Sequence, residues 1–169
     1  MKVKKAYKLL MLADEDNTID VSKACRIFNA SPSTVRKYLH QLISEGFVEK
    51  TVDGRFVLSK LGISIRNFAS ADSSRDRIPN YVITDVETGQ PIPLSFKSYE
   101  QLLSIINYEL APKQVLEEHL KKYMIEWIRN SMKDELLAEK IAKGEIRTVD
   151  DLKKYLEFIL TLIESLRSG

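Results

Sequence analysis

The side chains best placed to do chemistry lie close together: Ser31, Ser33, Thr34, Arg36, Lys37, His40 and Gln41, followed shortly by Lys50 and Arg55. They contain no nucleophile paired with a base and no set of metal ligands. What they share is hydrogen-bond donation, much of it charged, and the chemistry open to such a group is non-covalent recognition of an anion. The charge balance agrees. Residues 1–70 hold 12 Lys and Arg against 7 Asp and Glu, whereas residues 71–169 hold 14 against 17. The front of the chain is built to meet an anion and the back is not.

Other constellations carry less. Two histidines and one cysteine leave a zinc site short of ligands at any usual spacing. No Gly-rich phosphate loop, Gly-x-Ser-x-Gly or His-Glu-x-x-His occurs. Glu118, Lys122 and Glu126 follow one another at four-residue steps beside His119 and Trp127, which suggests a general base. The stronger reading is structural: Glu118–Lys122 and Lys122–Glu126 are ordinary helix-surface ion pairs, and a histidine beside an apolar face is most often a satisfied buried one. No catalytic residue, metal or cofactor is expected. A ligand pocket near Tyr123 and Trp127 stays open as a lesser expectation.

Elements must hold the cationic cluster in place. Ser31 suits an N-cap and Pro32 the first helical position, and Val35, Tyr38, Leu39, Leu42 and Ile43 mark one face of a helix over about 32–45. Gly46 ends it. Phe47–Val52 and Arg55–Leu58 read as strands joined through Asp53-Gly54. Upstream, a helix from Val3 to Ala13 carries Lys2, Lys4, Lys5 and Lys8 around its polar side, either as a solvated face or as phosphate contacts. Thr18-Ile19 suits a short third strand. Asp20 caps a helix over about Val21–Phe28, and Asn29 stands where a turn needs positive φ. Ser59–Ala69 forms a helix in which Gly62 costs about 1 kcal/mol relative to Ala, so that a break there is open.

The stretch Ser22–Val48, SKACRIFNASPSTVRKYLHQLISEGFV, resembles the winged helix-turn-helix family of prokaryotic DNA-binding regulators: a small-residue helix, a turn, Ser-x-x-Thr-Val-Arg, then a Gly-Phe-Val strand entry. The resemblance covers about the first 60 residues. Asn29 replaces the commoner turn glycine and Cys25 a buried alanine, both physically mild changes. The resemblance implies double-stranded DNA binding, with the helix over 32–45 in the major groove and the 47–58 hairpin, the wing, on the backbone. Ser33, Thr34, Lys37 and Gln41 would then face base edges, and Arg36 a guanine or a phosphate. His40 lies one turn on, Lys50 and Arg55 meet backbone phosphates, and the helix start at Ser31 and Ser33 favours a phosphate. Each of these side chains, taken singly, is also an ordinary polar surface residue.

Residues 70–80 are polar and aperiodic and read as a linker, which puts a first domain at 1–69 and a second at 81–169. The second opens with a hairpin, Tyr81–Thr84 and Pro91–Phe96, whose two prolines keep it at a sheet edge. Helices follow over about 98–108, from Pro112 to about Ser131, over Asp134–Ala142 closed by Gly144, and from Thr148 as N-cap to about Arg167. The order hairpin, Ser98-x-x-Gln101-Leu102, His119-Leu120, Trp127-Ile128, Asp134–Ala138 and a Leu-rich helix resembles an uncharacterised, mainly archaeal helical domain. That likeness implies a fold and no chemistry. The expected class is therefore mostly α with small β-hairpins.

In the last helix Val149, Leu152, Leu156, Ile159, Ile163 and Leu166 are spaced three, four, three, four and three, the seam pattern of a coiled coil. Such a face either packs on its own chain or also pairs with a second copy. A mixture is expected, with a homodimer matching two half-sites on DNA. The helical domain is also open to a protein partner. One cysteine excludes an internal disulfide, and no apolar run approaches the roughly 20 residues of a membrane span. With no signal-peptide core, a soluble cytoplasmic protein without membrane contact is expected. The reading is a transcription regulator. A module that uses the same fold to bind protein within a larger assembly is the alternative, and an enzyme is not expected.

Overall fold

The computed structural model describes residues 5–70 and 77–167, mostly helical with two small antiparallel hairpins. Its backbone divides into two compact units, residues 5–70 with 163–167 and residues 77–162. The expected linker falls largely on residues 71–76, outside the described residues, as do Lys2, Val3 and Lys4.

The front unit opens with Lys5–Leu12, a 3-10 helix rather than the α-helix expected over Val3–Ala13. Ala6, Leu9 and Leu10 are its buried residues. α1 (Val21–Phe28) starts where the Asp20 carboxylate accepts the Ser22 and Lys23 N–H groups at 2.7 and 3.1 Å, and stops at Asn29, φ 47°. α2 (Pro32–Ser44) starts where Ser31 Oγ accepts the Thr34 N–H at 3.2 Å. It packs Val35, Leu39 and Leu42 into the core, against the 3-10 helix and α1. Gly46, φ 81°, turns the chain out of α2.

β1 (Val48–Lys50) and β2 (Phe56–Leu58) pair antiparallel, Val48 opposite Leu58 and Lys50 opposite Phe56. These strands are shorter than Phe47–Val52 and Arg55–Leu58. Phe47 is still in the helix-exit turn, its N–H on the Leu42 carbonyl at 2.9 Å, and residues 51–55 form a loop closed through Gly54, φ 86°. The expected third strand is a single bridge, Thr18 to Val57, with the Ile19 N–H on the Phe56 carbonyl at 2.8 Å. α3 (Lys60–Ser70) runs unbroken through Gly62, and the reason is close approach. A Cβ there would lie 2.2 Å from the Phe47 carbonyl oxygen, so only glycine lets α3 lie against the end of α2.

In the second unit β3 (Tyr81–Thr84) and β4 (Pro91–Phe96) form the expected hairpin, Tyr81 opposite Phe96, with an irregularity between Val82 and Thr84. α4 (Tyr99–Asn107) is capped by Ser98. The single helix expected from Pro112 to Ser131 is instead α5 (Lys113–Lys122), a short α6 (Met124–Trp127) and a π-turn over Ile128–Met132. Tyr123, φ −125°, breaks the line and turns outward, 53% exposed. Beyond the break Met124, Trp127 and Ile128 are buried, and the Trp127 indole N–H donates to the Pro79 carbonyl at 2.9 Å.

α7 (Glu135–Ala142) follows, and α8 (Val149–Arg167) begins in a reciprocal cap between Thr148 and Asp151. The seam of α8 is buried within its own chain at Val149, Leu152, Leu156, Ile159 and Ile163, with only Leu166 part-exposed. That burial is packing within the chain, one part of the expected mixture. Pairing with a second copy through these residues would require them to leave that packing.

Candidate nucleic-acid interface

The buried stripe of α2 dictates its opposite. With Val35, Leu39 and Leu42 inward, the helical period places Ser33, Arg36, Lys37 and His40 on one exposed face. Among the described residues no carboxylate forms an ion pair with Arg36, Lys37 or Lys50. Ser31 and Thr34 stand at the helix start but are engaged there, their hydroxyl oxygens 3.0 Å apart and Ser31 serving as cap.

Gln41 departs from the expected arrangement. It lies off the exposed stripe, half-buried, and its side-chain amide donates to Glu45 Oε1 at 3.0 Å. The Tyr7 hydroxyl donates to Glu45 Oε2 at 2.5 Å, and burial together with that carboxylate pushes the Tyr7 hydroxyl up to about 12. The glutamine expected at a base edge is thus part of the contact between α2 and the 3-10 helix.

Arg36 and His40 turn towards the hairpin. There they meet Lys50 and Arg55 in one cleft of about 530 Å³, closed on the remaining side by residues 18–21. Phe56 lines the same cleft. His40 meets its ring edge-on at 6.4 Å, and Lys50 Nζ lies 5.9 Å from its centroid. Asp20, the one carboxylate among the described residues of the lining, has its charge spent on the first turn of α1.

At the hairpin tip, Asp53 Oδ2 accepts from Arg55 Nε at 2.6 Å, and Asp53 Oδ1 accepts from the Thr51 hydroxyl. These bonds, Thr51 first and Arg55 second, hold the Asp53 carboxyl below the usual carboxylate range. Asp16 is held low in the same way, chiefly by the Thr18 N–H and hydroxyl.

The second unit has polar groups of a different kind. His119 is 2% exposed. Its Nε2 lies 2.7 Å from the Thr84 carbonyl oxygen and 3.2 Å from the Thr84 backbone nitrogen, and its Nδ1 lies 2.6 Å from the Tyr81 hydroxyl. Both ring nitrogens are used to fasten β3 to α5, and burial raises the Tyr81 hydroxyl above its ordinary range. Lys122 pairs with Glu118 at 3.0 Å, while Glu126 turns to Arg129 instead of Lys122.

Asp134 is fully buried. It accepts from the Tyr99 hydroxyl at 2.8 Å, the Tyr155 hydroxyl at 2.9 Å and the Leu137 N–H at 3.0 Å. Burial first, and the Asp134 charge second, raise both tyrosine hydroxyls. An aspartate ahead of Glu-Leu-Leu signals an N-cap in sequence, but nothing local announces that two tyrosines 35 and 21 residues away converge on it. Among the described residues no group of three or more His, Cys, Asp or Glu side chains is arranged to hold a metal ion, and no helix is long and apolar enough to cross a membrane. Compared with protein-family models, curated proteins and solved structures, the chain has no match.

Proposed function

We propose that the front unit is a winged helix-turn-helix that binds double-stranded DNA as a transcription regulator, α2 in the major groove and the β1–β2 hairpin on the backbone. The observation that carries this reading is the meeting of Arg36 and His40 from α2 with Lys50 and Arg55 from the hairpin in a single cleft. Arg36 and Lys50, distant in sequence, share one open surface without a carboxylate partner among the described residues, and Arg55 joins them with Asp53 on its Nε, an arrangement that suits a polyanion. Ser33 and Lys37 beside them are the side chains left to reach base edges, with Gln41 withdrawn.

A random duplex titrated by fluorescence anisotropy over a salt series tests the reading. Affinity should fall steeply with salt, because phosphate contacts release counterions. Arg36→Ala with Lys37→Ala should weaken binding about 10- to 100-fold and leave the melting temperature in place. Binding unchanged at moderate salt would refute this placement of the interface.

A second reading, a winged-helix module that binds protein in a larger assembly, draws on two exposed apolar side chains of the front unit, Ile27 on α1 and Val52 at the hairpin tip. Under it, the double substitution would leave duplex binding as weak and non-specific as that of the unaltered chain.

A further inference from the structure

The hairpin tip holds a carboxylate where a surface for DNA should avoid one. Asp53 adds repulsion towards phosphate and partly cancels Arg55, and the Asp16 charge also acts on that guanidinium. The geometry offers a reason for keeping it. Asp53 grips Arg55 through Nε, one edge of the guanidinium, and is itself gripped by the Thr51 hydroxyl. The Arg55 N–H donates to that same hydroxyl oxygen at 3.1 Å, so residues 51, 53 and 55 are cross-braced around Gly54. An arginine held by Nε retains its two terminal nitrogens, the fork that meets two oxygens of one phosphate. Left unheld, an arginine on a hairpin tip would spread over many rotamers and lose that freedom on binding.

We propose that the cleft between α2 and the hairpin seats one backbone phosphodiester of the duplex, against Arg36, Lys50 and Arg55, and that Asp53 is a positioning residue that aims Arg55 into it. The proposal rests on the DNA-binding reading above. Asp53 contributes order to the bound state that outweighs its repulsion. Its sign is therefore opposite to what charge alone gives: removing the acid weakens binding.

Duplex binding by the full chain is measured for the wild type, Asp53→Ala, Asp53→Asn, Arg55→Ala and the Asp53→Ala/Arg55→Ala pair, each over a salt series. Arg55→Ala should lower affinity about tenfold and reduce the slope of log affinity against log salt by about 1. Asp53→Ala should lower affinity by about threefold or more, and the pair should bind no more weakly than Arg55→Ala alone, since a lost aim costs nothing once the arginine is gone. Asp53→Asn keeps an oxygen for Nε and should recover part of the loss. Circular dichroism melts on each variant check that the fold is kept, and the Asp53→Ala/Arg55→Ala pair set against Arg55→Ala alone separates a damaged hairpin, whose cost persists without the arginine, from a freed arginine. If Asp53→Ala binds duplex as tightly as the wild type or more tightly, or if the two substitutions add, the positioning role is overturned while the DNA reading stands. A wild type that binds no duplex overturns both.

Discussion

The two units spend their polar side chains in opposite ways. In the front unit Arg36, Lys37, His40 and Lys50 stay at the surface without carboxylate partners among the described residues, and the core beneath them is apolar: Leu9, Leu10, Val35, Leu39 and Leu42. In the second unit the groups with the most chemical potential, His119 and Asp134, are inside and fully engaged by Tyr81, Thr84, Tyr99 and Tyr155. A surface cation costs the fold little and is open to a ligand. A buried, saturated group gives up its reactivity and contributes to holding elements in register. Residue type therefore indicates less than engagement does: a histidine serves as a fastener in one unit and lines an open cleft in the other.

Three substitutions would break or sharpen this contrast. The largest expected effect is Asp134→Ala, which leaves two buried tyrosine hydroxyls and the start of α7 without their acceptor and should cost about 3–5 kcal/mol of stability. Denaturant unfolding would measure it, and duplex affinity of the folded fraction should not change. A loss of affinity with stability intact would mean that the second unit takes part in binding, and the contrast would be wrong.

Gly62→Ala comes next. The added methyl meets a backbone carbonyl that cannot rotate aside, so about 2–3 kcal/mol should be lost, read as a lower melting temperature. Here the front unit should behave like the second one, because this site is core rather than surface.

The smallest effect is alkaline. Tyr7 has its hydroxyl raised to about 12 in the fold, so the native state keeps a proton that the unfolded chain releases near pH 10. Its stabilisation is therefore present below about pH 10 and is lost as pH rises through about 12. Tyr7→Phe should flatten the front unit's decline over that range in melts followed by circular dichroism. The raised Tyr81, Tyr99 and Tyr155 should keep the second unit's decline as steep as before. An unaltered profile would remove Tyr7 from that account.

Local signals were legible wherever one residue decides a local conformation. Asp20, Ser31 and Ser98 cap helices as their types suggest, and Asn29, Gly46, Gly54 and Gly144 take the left-handed turns. Signals were silent on which partners a side chain finds. Gln41 has the spacing of a base reader and is drawn off by Glu45, whose other oxygen is held by Tyr7, 34 residues away from Gln41 in the chain. The helix over 112–131 has an unbroken apolar period, and no local signal in the sequence marks the break at Tyr123.

What the sequence determined by itself is where most elements begin and end and the sign of the front surface, because caps, turn residues and the 3.6-residue period act within a few residues. The tertiary structure decided which donors remain available. It buried the α8 seam, closed His119 and Asp134 into networks, withdrew Gln41, and assembled Arg36, His40, Lys50 and Arg55 around one cleft. The physical reason is that a hydrogen bond or an ion pair depends on distance in space, and distances between helix, strand and loop exist only once the core has packed.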